Sequence, residues 1–224
     1  MLDKLLPLLQ LCDSNFPSGA FSHSFGFETY IYNEKINNEK TFREALCAYI
    51  RTQLTYIDGL ACRLTYDFLQ KQSKDDVWRL NEILAALCLA RETREGTRMI
   101  GERMWKLCRE IYPFEIWNDD KEKRDYIHPA IVFAIVCDHL KIPKDITVLS
   151  YLYTSVQTLV QNAVRGIPLG QTDGQKLLVF VQPYLVEAVQ TIDALTEEDL
   201  GAVTPGLEIA QMQHEQLSVR LFMS

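Results

Sequence analysis

The chain lacks any apolar run long enough to span a membrane, although it has 224 residues to draw on. It also lacks a basic surplus. Lys and Arg number 23 against 30 Asp and Glu, for a net charge of −7. That balance argues against nucleic acid as a general partner, since phosphate binding needs a basic surface. Cysteine-pairing signals are missing too: Cys12, Cys47, Cys62, Cys88, Cys108 and Cys137 form no C-x-x-C pair and sit in apolar helical contexts. In a reducing compartment such residues behave as small hydrophobes, so no disulfide framework is expected. The opening "MLDKLLPLLQLC" carries Asp3 and Pro7 and has neither a basic leader nor a small-residue cleavage site. It does not read as a secretory signal, and the expected compartment is the cytoplasm. Repeats at solenoid spacing, low-complexity linkers and convincing period-2 strands are all absent.

What is present is helical periodicity almost throughout. Leu2, Leu5, Leu6 and Leu9 mark one face of a first short helix. Thr41 is the expected N-cap of a second, with Glu44 completing a capping box and Phe42, Leu46, Tyr49, Ile50 and Leu54 on its stripe. Leu60, Leu64 and Phe68 continue it. Val77, Leu80 and Leu84 define another helix, and Ile100, Met104, Leu107 and Ile111 another, ended by Pro113. The mixed-charge run Asn118 to Asp125 reads as a solvated loop. "IVFAIV" (131–136) could be a buried strand, but Pro129 fits a first helical position and favours a buried helix. Pro143 opens a long helix, "RGIPLGQTDGQ" (165–175) interrupts, and a helix kinked at Pro183 follows. Thr204 and Pro205 start the last one, with Leu207, Ala210, His214, Leu217 and Leu221 on one side. The expectation is an all-α fold, one compact domain of roughly ten helices over residues 1–224.

Tests for chemistry fail one by one. "GTRMIG" (96–101) has the glycine spacing of a phosphate loop, but Glu102 and Arg103 replace the required Lys and Ser or Thr, and the segment lies inside a helical stripe. "HEQLS" (214–218) starts like a zinc helix and lacks its second histidine; His23, His128, His139 and His214 show no ligand spacing. His128 reads as a helix-start residue, His139 as a helix-end residue and His214 as a hydrogen-bonded core or interface histidine. Ser22 and Ser24 flank His23, but sequence neighbours point to different faces, so they make no catalytic dyad. The only adjacent aspartate pairs, Asp75-Asp76 and Asp119-Asp120, stand in loop-like contexts without partners at helical spacing, which argues against a helical metal-dependent enzyme. No catalytic or metal-ligating set emerges, and binding or assembly is the better class.

Four motifs in register carry a resemblance: "FPSGAFSHSFGFE" near the start, "RETREGTRMIGERM" in the middle, "VRGIPLGQTDGQ" late, and "IAQMQHEQLSVRLFMS" at the end. Together they resemble the urease accessory protein UreF family across essentially the whole chain. The resemblance implies an all-α homodimer that is not itself an enzyme. It further implies that the protein binds UreD (also called UreH), that this complex recruits the GTPase UreG, and that the assembly acts on apo-urease to promote carbamylation and nickel insertion. GTP hydrolysis by UreG would be coupled to nickel transfer. No cofactor is expected to be bound tightly; nickel is handled by the assembly. Neither nucleic acid nor membrane is an expected partner.

The residues carried over by the resemblance as partner-binding are Pro17, Gly19, Phe21, Ser22, His23, Gly26 and Glu28 at the start, with Phe16 as a further aromatic anchor. From the late motif come Arg165, Pro168, Leu169, Gly170, Gln171 and Gln175. From the end come Met212, His214, Glu215, Arg220, Leu221, Phe222 and Ser224. Phe21 stands where some members have tyrosine, and Val219 separates Ser218 from Arg220 where others read serine-arginine. The aromatics would anchor an interface. Arg165 would pair with a partner carboxylate or a backbone acceptor, and the Leu221–Phe222 tail would order on binding UreD.

Overall fold

A computed structural model describes residues 2–112, 124–202 and 204–224. Among these the regular structure is helical throughout, with no strand. Pro113 and most of the mixed-charge run lie outside the described residues. Helix α1 (Leu2–Leu11) and α2 (Phe27–Tyr32) flank the amino-terminal motif, which forms a short 3₁₀ turn at Ala20–Ser22. Helix α3 (Glu39–Tyr49) runs through a π-helical stretch (Ile50–Gly59) into α4 (Leu60–Gln70). Helices α5 (Lys74–Leu87), α6 (Arg91–Ile111), α7 (Pro129–His139), α8 (Lys144–Gly166), α9 (Gln171–Ala194) and α10 (Pro205–Gln213) complete the set.

The "IVFAIV" run is the centre of the molecule. Its helix α7 has no polar face, and Ala130 through Cys137 are all buried. A helix apolar all round needs neighbours on every side. Helices α4, α6 and α8 supply them. Pro129 takes the first helical position and His128 caps the end, its ring accepting the Ala130 N–H at 3.2 Å. Helix α6 passes so close here that a Cβ on Gly101 would fall 1.8 Å from the Ile127 carbonyl oxygen. One glycine of the false phosphate loop is therefore a helix-contact residue.

Three expectations change. The cap of α3 is Asn38, whose side chain accepts the Thr41 N–H at 3.0 Å; Thr41 reaches back to the Asn38 N–H as the second half of the box. The late interruption shrinks to residues 167–170, because Arg165 and Gly166 end α8 and Gln171 already begins α9. Gly174 then packs within α9 against Val160 and Val164. On α1 the leucine stripe does not enter the core: Leu2, Leu5, Leu6 and Leu9 are exposed, and Leu11 is the buried residue. Most of the other stripes face the core, although Ile111 at the end of α6 is exposed. Phe42, Leu46, Tyr49, Ile50 and Leu54 are buried, as are Leu152, Val156, Leu159, Val160 and Ala163.

Candidate docking site

The motifs at the two ends of the chain meet. Helix α10 packs against α2. Thr29 Oγ1 donates to the Ala210 carbonyl at 2.8 Å, and Gln211 Nε2 donates to the Phe25 carbonyl at 3.2 Å. Past Gln213 the chain makes one 3₁₀ turn (His214–Gln216) and then leaves the helix. The Leu221 end of the expected stripe is thus a non-helical strap that lies along residues 22–28. Met223 N–H donates to the Ser22 carbonyl at 2.8 Å, and Phe25 N–H donates to the Ser224 main-chain oxygen at 3.1 Å.

A buried charged cluster fastens this strap. His214 is fully buried, with Nε2 at 2.8 Å from Glu28 Oε2 and Nδ1 at 2.7 Å from Glu92 Oε2. A ring that donates to both carboxylates carries two protons and a positive charge. Glu28 also accepts the backbone N–H of Leu221, and that of Phe222 at 3.2 Å. Glu92 accepts Arg220 Nη1 at 2.8 Å. Two carboxylates and two cations so close a neutral set. Burial pushes the Glu92 carboxyl up, but hydrogen bonds from His214 and Arg220 outweigh it and hold the group below the usual glutamate range. Glu215 pairs on the outside with Arg91 at 2.7 Å.

His23 lies on the other side of the strap. Its Nδ1 is 2.8 Å from Ser224 Oγ, its ring stacks on Phe25, and Asn162 Nδ2 donates to its carbonyl at 2.8 Å. Burial, helped by Arg103 and His214, lowers its pKa to about 4, so the ring is neutral near pH 7. Helix α6 makes room for it: a Cβ on Gly96 would sit 2.6 Å from His23 Nδ1. His23 thus anchors the strap from within the molecule.

The residues carried over by motif divide by exposure. Gly26, Glu28, His23, His214, Phe222 and Ser224 are buried and hold the strap, and Leu169 is buried beside the α8–α9 connection. Gly26 starts α2 in a left-handed backbone, and Gly19 caps the 3₁₀ turn in another, with φ of 89° and 84°. Phe21, Leu221 and Met212 are exposed, as are Pro17, Pro168, Gly170, Gln171 and Gln175; Phe16 and Ser22 are half-buried. Arg165 joins the three motifs: its guanidinium lies 4.5 Å from the Phe21 ring centre and 5.3 Å from that of Phe222. Cation–π stacking holds it there at an exposed position. Gln171 and Gln175 have no hydrogen bond to the strap among the described residues.

Sequence reading missed Glu92, Gly96, Asn162 and Arg103 as parts of this site. Glu92 and Gly96 lie within "RETREGTRMIG", so the motif was visible while their contacts, 122 and 73 positions along the chain from His214 and His23, were not. Among the described residues no three His, Cys, Asp or Glu side chains group to hold a metal ion, and no helix is long and apolar enough to cross a membrane.

A family model described as UreF matches residues 36–182. The urease accessory protein UreF of Geobacillus kaustophilus is 67% identical over 221 residues, covering 99% of this chain and 98% of the relative. Proteins of the same description from a Bacillus species and from Lachnoclostridium phytofermentans are 56% and 51% identical, the first covering 100% of both chains and the second 98% of each. These relatives extend over both end motifs, which the family model does not reach.

Proposed function

The chain belongs to the UreF family of urease accessory proteins, with a role in urease maturation, and we propose that it acts there as a non-catalytic helical adaptor. In this reading it forms a homodimer, binds UreD (UreH) and, with the GTPase UreG, assembles on apo-urease in the cytoplasm. The assembly promotes carbamylation and nickel insertion and links GTP hydrolysis by UreG to delivery of nickel, its cargo.

One observation carries the docking role. Three motifs distant in sequence converge on Arg165, where an exposed guanidinium is held on Phe21 and Phe222. Stacking orients the guanidinium without using its five N–H donors, which leaves a planar fork for a partner carboxylate. Around it, Phe21, Leu221 and Met223 are 47%, 59% and 54% exposed, a set of apolar anchors next to a fixed charge. The buried residues of the same motifs support that surface from below.

Deleting the gene and measuring urease activity with added nickel tests the role. Activity should fall and be restored by the intact gene; undiminished activity would refute it. Equilibrium dialysis with nickel tests the handling of cargo. The reading expects no tight stoichiometric site on the isolated chain.

A further inference from the structure

Three of the four motifs bring residues to the Arg165 surface, while the middle one, "RETREGTRMIGERM" (91–104), supports the strap from beneath through Glu92 and Gly96. That motif holds four arginines, and three of them are committed within the chain. Arg91 pairs with Glu215 at 2.7 Å, Arg94 Nη1 donates to the Cys88 carbonyl at 3.0 Å, and Arg98 bridges Glu95 and Glu102, each at 3.0 Å. Arg103 is the exception. It is exposed and makes no hydrogen bond or ion pair among the described residues. Its guanidinium lies against Gly19, where an added Cβ would fall 2.1 Å from Nη1. Gly19 caps the 3₁₀ turn whose middle residue is Phe21, and Phe21 carries the Arg165 guanidinium at 4.5 Å. Two cations, one from α6 and one from α8, therefore touch positions 19 and 21 of a single turn.

We propose that Arg103 is a second charged anchor of the docking surface, and that Arg103 and Arg165 together receive two carboxylates from one acidic face of the partner protein. This rests on the docking role proposed above for Arg165. The chain carries a net charge of −7, so two guanidiniums without an anionic partner at one turn reverse its sign locally. An acidic partner face is the complement of that reversal, and it is drawn to this turn rather than to the surface at large. Nucleic acid would need a basic surface of wider extent, which this chain lacks. The exposed Phe21, Leu221 and Met223 beside the cations suit a protein face, because interfaces combine aromatic residues, methionine and arginine. A guanidinium fork meets a carboxylate at two points in one plane. Two forks fixed at one turn thus select the spacing of the carboxylates as well as their charge.

The test is the association of UreD with the immobilised chain, followed by biolayer interferometry at low and at high ionic strength. Arg103→Gln should slow association about fivefold at low salt, and the difference should close at high salt, because an exposed charge steers encounter and is screened. Arg103→Lys keeps the charge and loses the fork, so it should associate at nearly the unaltered rate and dissociate faster. An Arg103→Gln variant that associates like the unaltered chain overturns the proposal. So does one slowed equally at every salt concentration, which is what a merely distorted turn would produce. If the unaltered chain fails to bind UreD, the docking role falls and the second anchor with it. If it binds and Arg103→Gln shows no salt-dependent loss, the second anchor alone fails. Should Arg103→Gln not fold, the lysine variant decides, and dissociation as slow as that of the unaltered chain overturns the proposal.

Discussion

The molecule buries a histidine beside a carboxylate in two places and treats the pairs in opposite ways. At the strap, His214 touches Glu28 and Glu92 at 2.8 and 2.7 Å, and Arg220 completes a compensated set of charges. In the core, His128 stands 3.8 Å from Asp58, and burial drives both toward their neutral forms. The contrast shows what each pair is for. Charge is kept where it ties distant segments together, because a carboxylate can accept several N–H groups at once. It is discharged where nothing nearby compensates it.

The largest effect should come from breaking the charged set. Glu28→Ala leaves His214 facing an empty site and orphans the N–H groups of Leu221 and Phe222; a loss of about 3–5 kcal/mol in denaturant unfolding is expected. The neutral pair should respond mainly through pH. The Asp58 pKa is raised in the folded state, so its contribution is present below the unfolded value and is lost as pH rises through about 7. Between pH 5 and 7 the unaltered chain should lose up to about 1.4 kcal/mol per pH unit relative to Asp58→Asn. A flat difference would show that Asp58 is charged throughout. His23 has the opposite sign: its pKa is depressed to about 4, so its stabilisation fades as pH falls from about 6.5 toward 4. Ser224→Ala, which removes the hydroxyl from His23, should cost about 1 kcal/mol. Arg165→Met should cost about 0.5–1 kcal/mol, the worth of an exposed cation–π contact.

The helices were largely legible because apolar stripes record burial directly; α7 could be read from Pro129 and an unbroken apolar run. The stripe on α1 misled, since periodicity shows that a face is apolar but not that anything covers it. Asn38 was overlooked because Thr41 also fits a cap, and only the backbone decides which residue precedes the first turn. At the site, the motifs pointed to the right segments but not to their roles. Gly96 and His23 lie 73 positions apart, and nothing local announces that one makes room for the other. Asp58 gave no signal at all, because a buried polar group inside an amphipathic helix looks like a solvated one.

The account rests on the strap and the amino-terminal turn presenting Arg165 and Phe21 to a partner. The direct measurement is size-exclusion co-elution of UreD with the unaltered chain and with the Phe21→Ala/Arg165→Ala double variant, each first shown by circular dichroism to be folded. The account predicts co-elution for the unaltered chain and separate elution for the double variant. Equal co-elution of both would contradict it.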